Sequence, residues 1–404
     1  MKQKIVIFTV VTMILVAIVG CSKDELGVEV IVPQQEQMDS YRVSVDEALR
    51  SAETILRAGD RDTRSAARRV KSTELYVAKP ATRSNENTEV SFYLINYEDN
   101  AGYALVSTDE RTTPVYMYAE EGNITTEAFE EVPPLAIFME EAIANYEAEV
   151  ANYDEPEDII VPDTLDSPRS VYIDGNFYYI NTDTTYVSKG SLTNTLWDQE
   201  DPYNHYCNEK PVGCGPVAIG QIMAYHRHPY STYGTPIDWD AMTSRRYFTS
   251  INENGANDAA RLLYLRGTEA GINYLTDNDS GITIYAAEAT LRAFGYTCSA
   301  PQDYTLYSYL IQNEIDCNRP VYIRGNREGA SSGHAWIIDG YTAAEYTKKY
   351  YHATPPYNFS HSEDWSAVQY FKQNIGWGLS FNGLSVLETY TEGKKIITGI
   401  KPNI

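Results

Sequence analysis

Cys214 stands between two glycines in PVGCGPVAIGQIMAYHRHP, just ahead of a stretch patterned as a helix. Pro216 suits a first helical turn, where a missing N–H costs nothing. Ala218, Ile222 and Tyr225 recur at helical spacing, so one face is expected to pack inward. The cysteine is thereby placed at or just before a helix N-terminus, where unpaired N–H groups and the macrodipole favour negative charge. A thiol there loses its proton more readily, and the thiolate is the nucleophile. Gly213 and Gly215 allow a sharp turn and a close approach to the backbone. A small buried cysteine under a helix would read the same way, so a partner base has to decide.

Six histidines are available. His226 and His228 stand at the far end of the same helix, about three turns from the thiol, and suit the helix dipole there better than proton transfer. His205 has nothing around it to fix its orientation. His352 and His361 lie in polar, turn-rich surroundings and are expected at the surface. His334, in SSGHAWIIDGY, follows Gly333 at the start of an apolar strand, where an imidazole is held rigidly yet can face a cleft. A core histidine would also fit that place. Downstream, KQNIGWGLSFNG supplies Asn374, whose amide could orient the imidazole, and Trp377, whose indole could cover that contact. Gln199, in LWDQEDPYN, could join the Cys214 N–H as an oxyanion donor; a solvated loop amide is the plainer alternative.

These residues need a scaffold. The 404 residues suffice for two domains, and 43% hydrophobic content supports sizeable cores. A net charge of −24 excludes a nucleic-acid partner, which needs a basic footprint. The N-terminus has Lys2 and Lys4, an apolar run from Ile5 to Gly20, and then Ile18-Val19-Gly20-Cys21. That is a secretory signal in shape, and its end resembles a bacterial lipobox, with Cys21 lipidated. Ser22-Lys23-Asp24-Glu25 resembles a tag for the outer face of the outer membrane. The expected product is an exported lipoprotein, exposed at the cell surface and touching the membrane only through its anchor. Cys207, Cys214, Cys298 and Cys317 remain, enough for two disulfides unless Cys214 stays free. Their spacing fits no zinc site, and no metal or other cofactor is expected.

The domain map assigns 1–21 to the signal, 22–151 to a smaller α+β domain, 152–170 to an acidic linker and 171–404 to a larger α+β domain. In the first, Ser44 and Glu47 form a capping-box pattern. RDTRSAARRVKSTE reads as an exposed loop, VSFYLINY through VYMYAEEG as three strands, and PPLAIFMEEAIANYEAEV as an amphipathic helix. In the second, DAARLLYLRGTEAGI and AAEATLRAFGY read as helices, and RPVYIRG, HAWIIDGYT and KIITGIKP as strands. Helices followed by a sheet give an α+β layout.

WDQEDPYN, GCGPVAIGQIMAYHRHP, RPVYIRG with GHAWIIDGY, NIGWG and ITGIKP, in that order, resemble the streptopain family of secreted bacterial papain-like cysteine peptidases. Residues 41–150, above all GYALVSTDERTTPVYMY, resemble its inhibitory propeptide. The resemblance implies a papain-like fold with Cys214 as nucleophile, His334 as base and Gln199 in the oxyanion hole. Asn374 and Trp377 would support the imidazole. It also implies a zymogen that acts on protein substrates, is held by its own propeptide as inhibitor, and is activated by cleavage in the linker. Ile375 stands where the family loop carries its first tryptophan, and Gly378-Leu379 replaces a double glycine. Two other readings stay open: a Cys-His cell-wall amidase or transglutaminase-like enzyme, and a catalytically impaired surface adhesin.

Overall fold

A computed structural model describes residues 41–59, 68–78, 89–153, 170–173, 176–276, 280–326, 333–352, 358–378, 384–387 and 393–403. The expected signal, Cys21 and nearly all of the linker lie outside the described residues.

The N-terminal module is a sheet between two helices. Helix α1 (Val45–Gly59) starts at the expected capping box: Ser44 N donates to Glu47 Oε2 at 2.9 Å, and Glu47 N donates to Ser44 Oγ at 3.3 Å. Strands β2 (Ser91–Tyr97), β3 (Tyr103–Ser107) and β4 (Val115–Ala119) are buried along their whole length. The reason is period two. Tyr93, Ile95, Ala104 and Val106 face α1, while Phe92, Leu94, Tyr103 and Leu105 face Leu135, Phe138, Met139 and Ala142 of α2 (Pro133–Ala151). The expected loop before them is corrected in part. Val70–Val77 forms β1, paired with β2 on the sheet edge. Its polar residues concealed the strand, and charge on an edge discourages further pairing.

In the second module a hairpin of β5 (Ser170–Ile173) and β6 (Asn176–Lys189) precedes the helices, which the helices-then-sheet expectation missed. Helix α3 (Cys214–His226) then runs through the core. Gly215 to Ala224 are all buried, so the expected single inward face is corrected to burial all round. One side meets α4 (Ala256–Glu269) and α5 (Ile284–Ala293). The other meets β7 (Val321–Asn326) and β8 (Gly333–His352). β8 has 20 residues, well past the expected end at Thr342, and pairs with β6 and with β9 (Phe359–Asn374) in a long ribbon. His352 and His361 therefore stand on strands rather than turns. KIITGIKP is not one strand: β11 (Lys395–Ile397) ends before Gly399, whose φ of +64° turns the chain toward a separate pairing with Tyr296–Thr297.

One sheet joins the modules. β4 pairs with β10 (Leu384–Leu387), placing Ala119, Tyr118 and Met117 opposite Leu384, Ser385 and Val386. The sheet order is β1-β2-β3-β4-β10-β9-β8-β7-β11 and then the short Gln302–Asp303 strand. Side chains fasten the seam. Lys372, 3% exposed, pairs with Glu120 at 2.6 Å, Tyr370 Oη donates to Val115 O at 2.8 Å, and Tyr118 Oη lies 2.7 Å from Thr342 Oγ1.

Candidate active site

Cys214 is the first residue of α3, and both neighbouring glycines are required. Gly213 has φ +98°, and a Cβ there would sit 2.2 Å from Ser280 O. A Cβ on Gly215 would sit 2.4 Å from Ile282 Cγ1. The chain is thus clasped on both sides of the thiol. Sγ accepts from Ala335 N at 3.3 Å, which sets it beside the start of β8. All four described cysteines are free, so the two-disulfide arrangement is not formed.

His334, 5% exposed, immediately precedes Ala335. Its Nε2 lies 2.8 Å from Ile375 O. A carbonyl only accepts, so Nε2 carries the proton and Nδ1 is the atom left for sulfur. No hydrogen bond joins Sγ to the imidazole. Trp336 stacks on the ring at 5.8 Å and 14°, and Trp377 lies 5.8 Å away at 60°.

The expected Asn374–imidazole contact is not made. Asn374 Oδ1 accepts from Gln221 Nε2 at 3.1 Å and Gly376 N at 3.3 Å, and Nδ2 donates to Thr195 O at 2.7 Å and Gln221 Oε1 at 3.0 Å. The amide faces α3 from the end of β9 and ties helix, strand and loop together. Orientation of the ring falls to the next residue's carbonyl. Ile375 thus acts through an atom that every residue type carries, which sequence reading missed for that reason. Trp336 was legible in principle, two residues from His334 on the same strand face. Trp377 sits against the imidazole itself rather than over an Asn–His contact.

Gln199 is 8% exposed and its Nε2 is buried without a partner among the described residues. Its backbone is pinned: N donates to Asp198 Oδ1 at 2.5 Å, and O accepts from Val212 N at 2.8 Å. A buried unpaired donor costs about 1–3 kcal/mol, the kind of cost a site bears for a donor aimed at developing charge.

Burial pushes the Cys214 thiol up, partly offset by the Ala335 N–H and the positive charge of Arg324. Burial pulls the His334 imidazole down to about 4, against the Ile375 carbonyl bond. Both shifts favour a neutral thiol beside a neutral imidazole. Ile375, 4% exposed, is buried in the N-terminal module's own hydrophobic cluster, and Trp336 and Trp377 pack against that cluster. The module that extends the sheet therefore also grips the loop that holds the histidine.

Residues 197–384 match the Peptidase C10 family, and residues 40–145 match the Spi protease inhibitor. The thiol protease/hemagglutinin PrtT of Porphyromonas gingivalis is 24% identical over 299 residues, covering 64% of this chain and 32% of PrtT. The chain thus spans about a third of that curated relative's length. A cysteine-to-alanine mutant fragment of Prevotella intermedia prointerpain A shares the fold with a TM-score of 0.51 at 17% identity, over 82% of this chain and all of the fragment. The chain thus carries a Spi-type inhibitor domain ahead of a cysteine peptidase domain of the Peptidase C10, or streptopain, family.

Proposed function

We propose that the chain is the latent form of a papain-like cysteine endopeptidase, exported and anchored through lipid on Cys21, and released by cleavage in the 152–170 linker. The observation that carries the reading is the convergence of Cys214 Sγ on the residue after His334, with the unpaired Gln199 amide buried in the same domain.

In the latent form the pair is neutral. Opening exposes it to water and moves one proton from Sγ to His334 Nδ1. The thiolate then attacks the scissile carbonyl carbon. The C–S bond forms as the carbonyl π pair moves to oxygen, where the Cys214 N–H and Gln199 Nε2 receive the charge. His334 gives its proton to the leaving nitrogen as the C–N bond breaks. Water attacks the thioester, its proton passes to His334, and the C–S bond breaks to restore the pair. Ile375 O keeps the ring aligned throughout. Because opening only relocates a proton, the pair takes up none from solvent.

Incubation of the purified processed protein with azocasein and, separately, with peptidoglycan tests the reading. Degradation of azocasein that is abolished in Cys214→Ala supports it. Release of cell-wall fragments without azocasein degradation would make the protein an amidase. A Cys214 inert to a thiol-directed epoxide would leave a binding module.

A further inference from the structure

Across β8, β7 and β11, Ala335 stands opposite Arg324, and Arg324 opposite Lys395. Cross-strand partners share a sheet face, so these three form a row that begins at the residue touching Cys214 Sγ. Adjacent strands lie about 4.8 Å apart, which puts Arg324 one strand from the reacting sulfur's own contact. The guanidinium is partly buried. Nε donates to Ile282 O at 3.0 Å and Nη1 to Asn326 Oδ1 at 2.6 Å, both neutral acceptors. Ile282 is the residue that closes on Gly215, and Asn326 Oδ1 is 2.3 Å from where a Gly333 Cβ would stand, so Arg324 bridges the nucleophile and histidine sides.

Arg324 pairs with no carboxylate among the described residues, and its Nη2 has no acceptor there. Lys395 forms no ion pair there either. Asp303, next across from Lys395, has its carboxylate engaged by Thr305 N at 3.0 Å. Two cations directly opposite one another destabilise a sheet. The chain has 56 acidic residues and a net charge of −24, so it does not lack acid to neutralise them.

We propose that Arg324 is a specificity-determining residue of the cleft, receiving a carboxylate side chain of the polypeptide substrate close to the scissile bond, with Lys395 reinforcing the positive field. The inference rests on the peptidase reading above. It also fits the chain's own activation segment, which carries Asp154, Glu155, Glu157, Asp158, Asp163 and Asp166.

The test uses the processed enzyme and matched peptides that carry Glu, isosteric Gln or Lys at each position flanking the cut. In the wild type, kcat/KM for Glu over Gln should reach about tenfold at one position, the scale of a charge-assisted hydrogen bond. That ratio should fall to about one in Arg324→Gln, survive in Arg324→Lys, and give way to a preference for Lys in Arg324→Glu. Epoxide labelling of Cys214 reports that each variant retains a formed site. The wild-type ratio should also collapse at about 1 M salt, where charges are screened within roughly 3 Å, a result that depends on no variant. A wild type indifferent to charge at every position overturns the proposal. So does an Arg324→Gln enzyme that loses activity on all peptides equally with its ratio intact, which would assign the charge to the thiolate instead. In both cases peptide cleavage itself continues to support the peptidase. A wild type that cleaves none of the peptides overturns the peptidase reading, and this inference with it.

Discussion

Latency by neutralisation predicts two different pH profiles for one cysteine. In the intact chain burial raises the Cys214 thiol above its ordinary value, which for cysteine is about 8.5. At pH 7 the thiolate fraction is then below about 3%. Once the propeptide leaves, sulfur and imidazole can form an ion pair, and activated cysteines of that kind titrate at roughly 3.5–7.5. The rate at pH 7 is a poor readout of this change. Nucleophilicity falls with thiol basicity with a Brønsted slope of about 0.4–0.5, so a drop of four units loses about as much reactivity per thiolate as it gains in thiolate. The midpoint is the readout. Iodoacetamide is added across pH 4–10, and intact and processed species are followed separately by mass spectrometry, with exposed Cys317 as the internal reference thiol. The intact species should alkylate Cys214 only above about pH 8.5, and the processed species should hold a plateau to below about pH 6. A midpoint near or below 7 in the intact species would refute latency by neutralisation.

Glu120→Gln leaves Lys372 buried without its counter-ion; with Glu120 31% exposed, a loss of about 1–3 kcal/mol is expected, read as roughly 5- to 150-fold weaker inhibition by added propeptide. Gly215→Ala meets side chains alone, Ile282 Cγ1 at 2.4 Å and then Tyr322 Oη at 3.2 Å, so Ile282→Ala should recover most of the about 1–3 kcal/mol lost to overpacking. Gly213→Ala meets backbone at positive φ, and the same second substitution should not rescue it; thermal unfolding of the four variants decides. Asn374→Ala should lower Tm while the processed enzyme keeps its alkylation midpoint, because Ile375 O and not Asn374 orients His334. Gln199→Ala should cost about 100-fold in kcat without moving that midpoint. His226 and His334 are both pulled down to about 4 by burial, so the unfolded chain binds more protons below pH 6.5 and the intact protein loses stability as pH falls from 6.5 toward 4. Asp339, raised to about 6 by burial, acts with the opposite sign between about 4 and 6 and offsets one of them. His226→Gln should flatten the fall of Tm with acid.

Elements with a strong local signature were legible. The Ser44–Glu47 box, the three apolar strands after it and the helix beginning at Cys214 follow from caps, period and proline placement. Cys214 and His334 stood out as candidates because glycines flank them, and the structure shows Ser280 closing on Gly213, Ile282 on Gly215 and Asn326 on Gly333. What escaped depended on tertiary partners. β1 has no apolar period because it is an edge. The β6–β8–β9 ribbon mixes polar and aromatic residues without a sustained period of two and holds together by pairing across distant segments. The imidazole's acceptor is a main-chain carbonyl, and no residue type announces one. Asn374 was placed in the right loop and given the wrong partner, since Gln221, seven residues past the nucleophile, looked like one more position on a core helix.

The most direct test of the account is self-processing. The chain lacking residues 1–21, as wild type and as Cys214→Ala, is incubated alone and followed by mass spectrometry. The account predicts that wild type is cut within the 152–170 linker while Cys214→Ala stays whole, and that adding a trace of processed wild type cuts the alanine variant at the same bond. A linker that stays intact under processed wild type, or an alanine variant cut alone at the wild-type rate, would contradict the claim that Cys214 opens this chain.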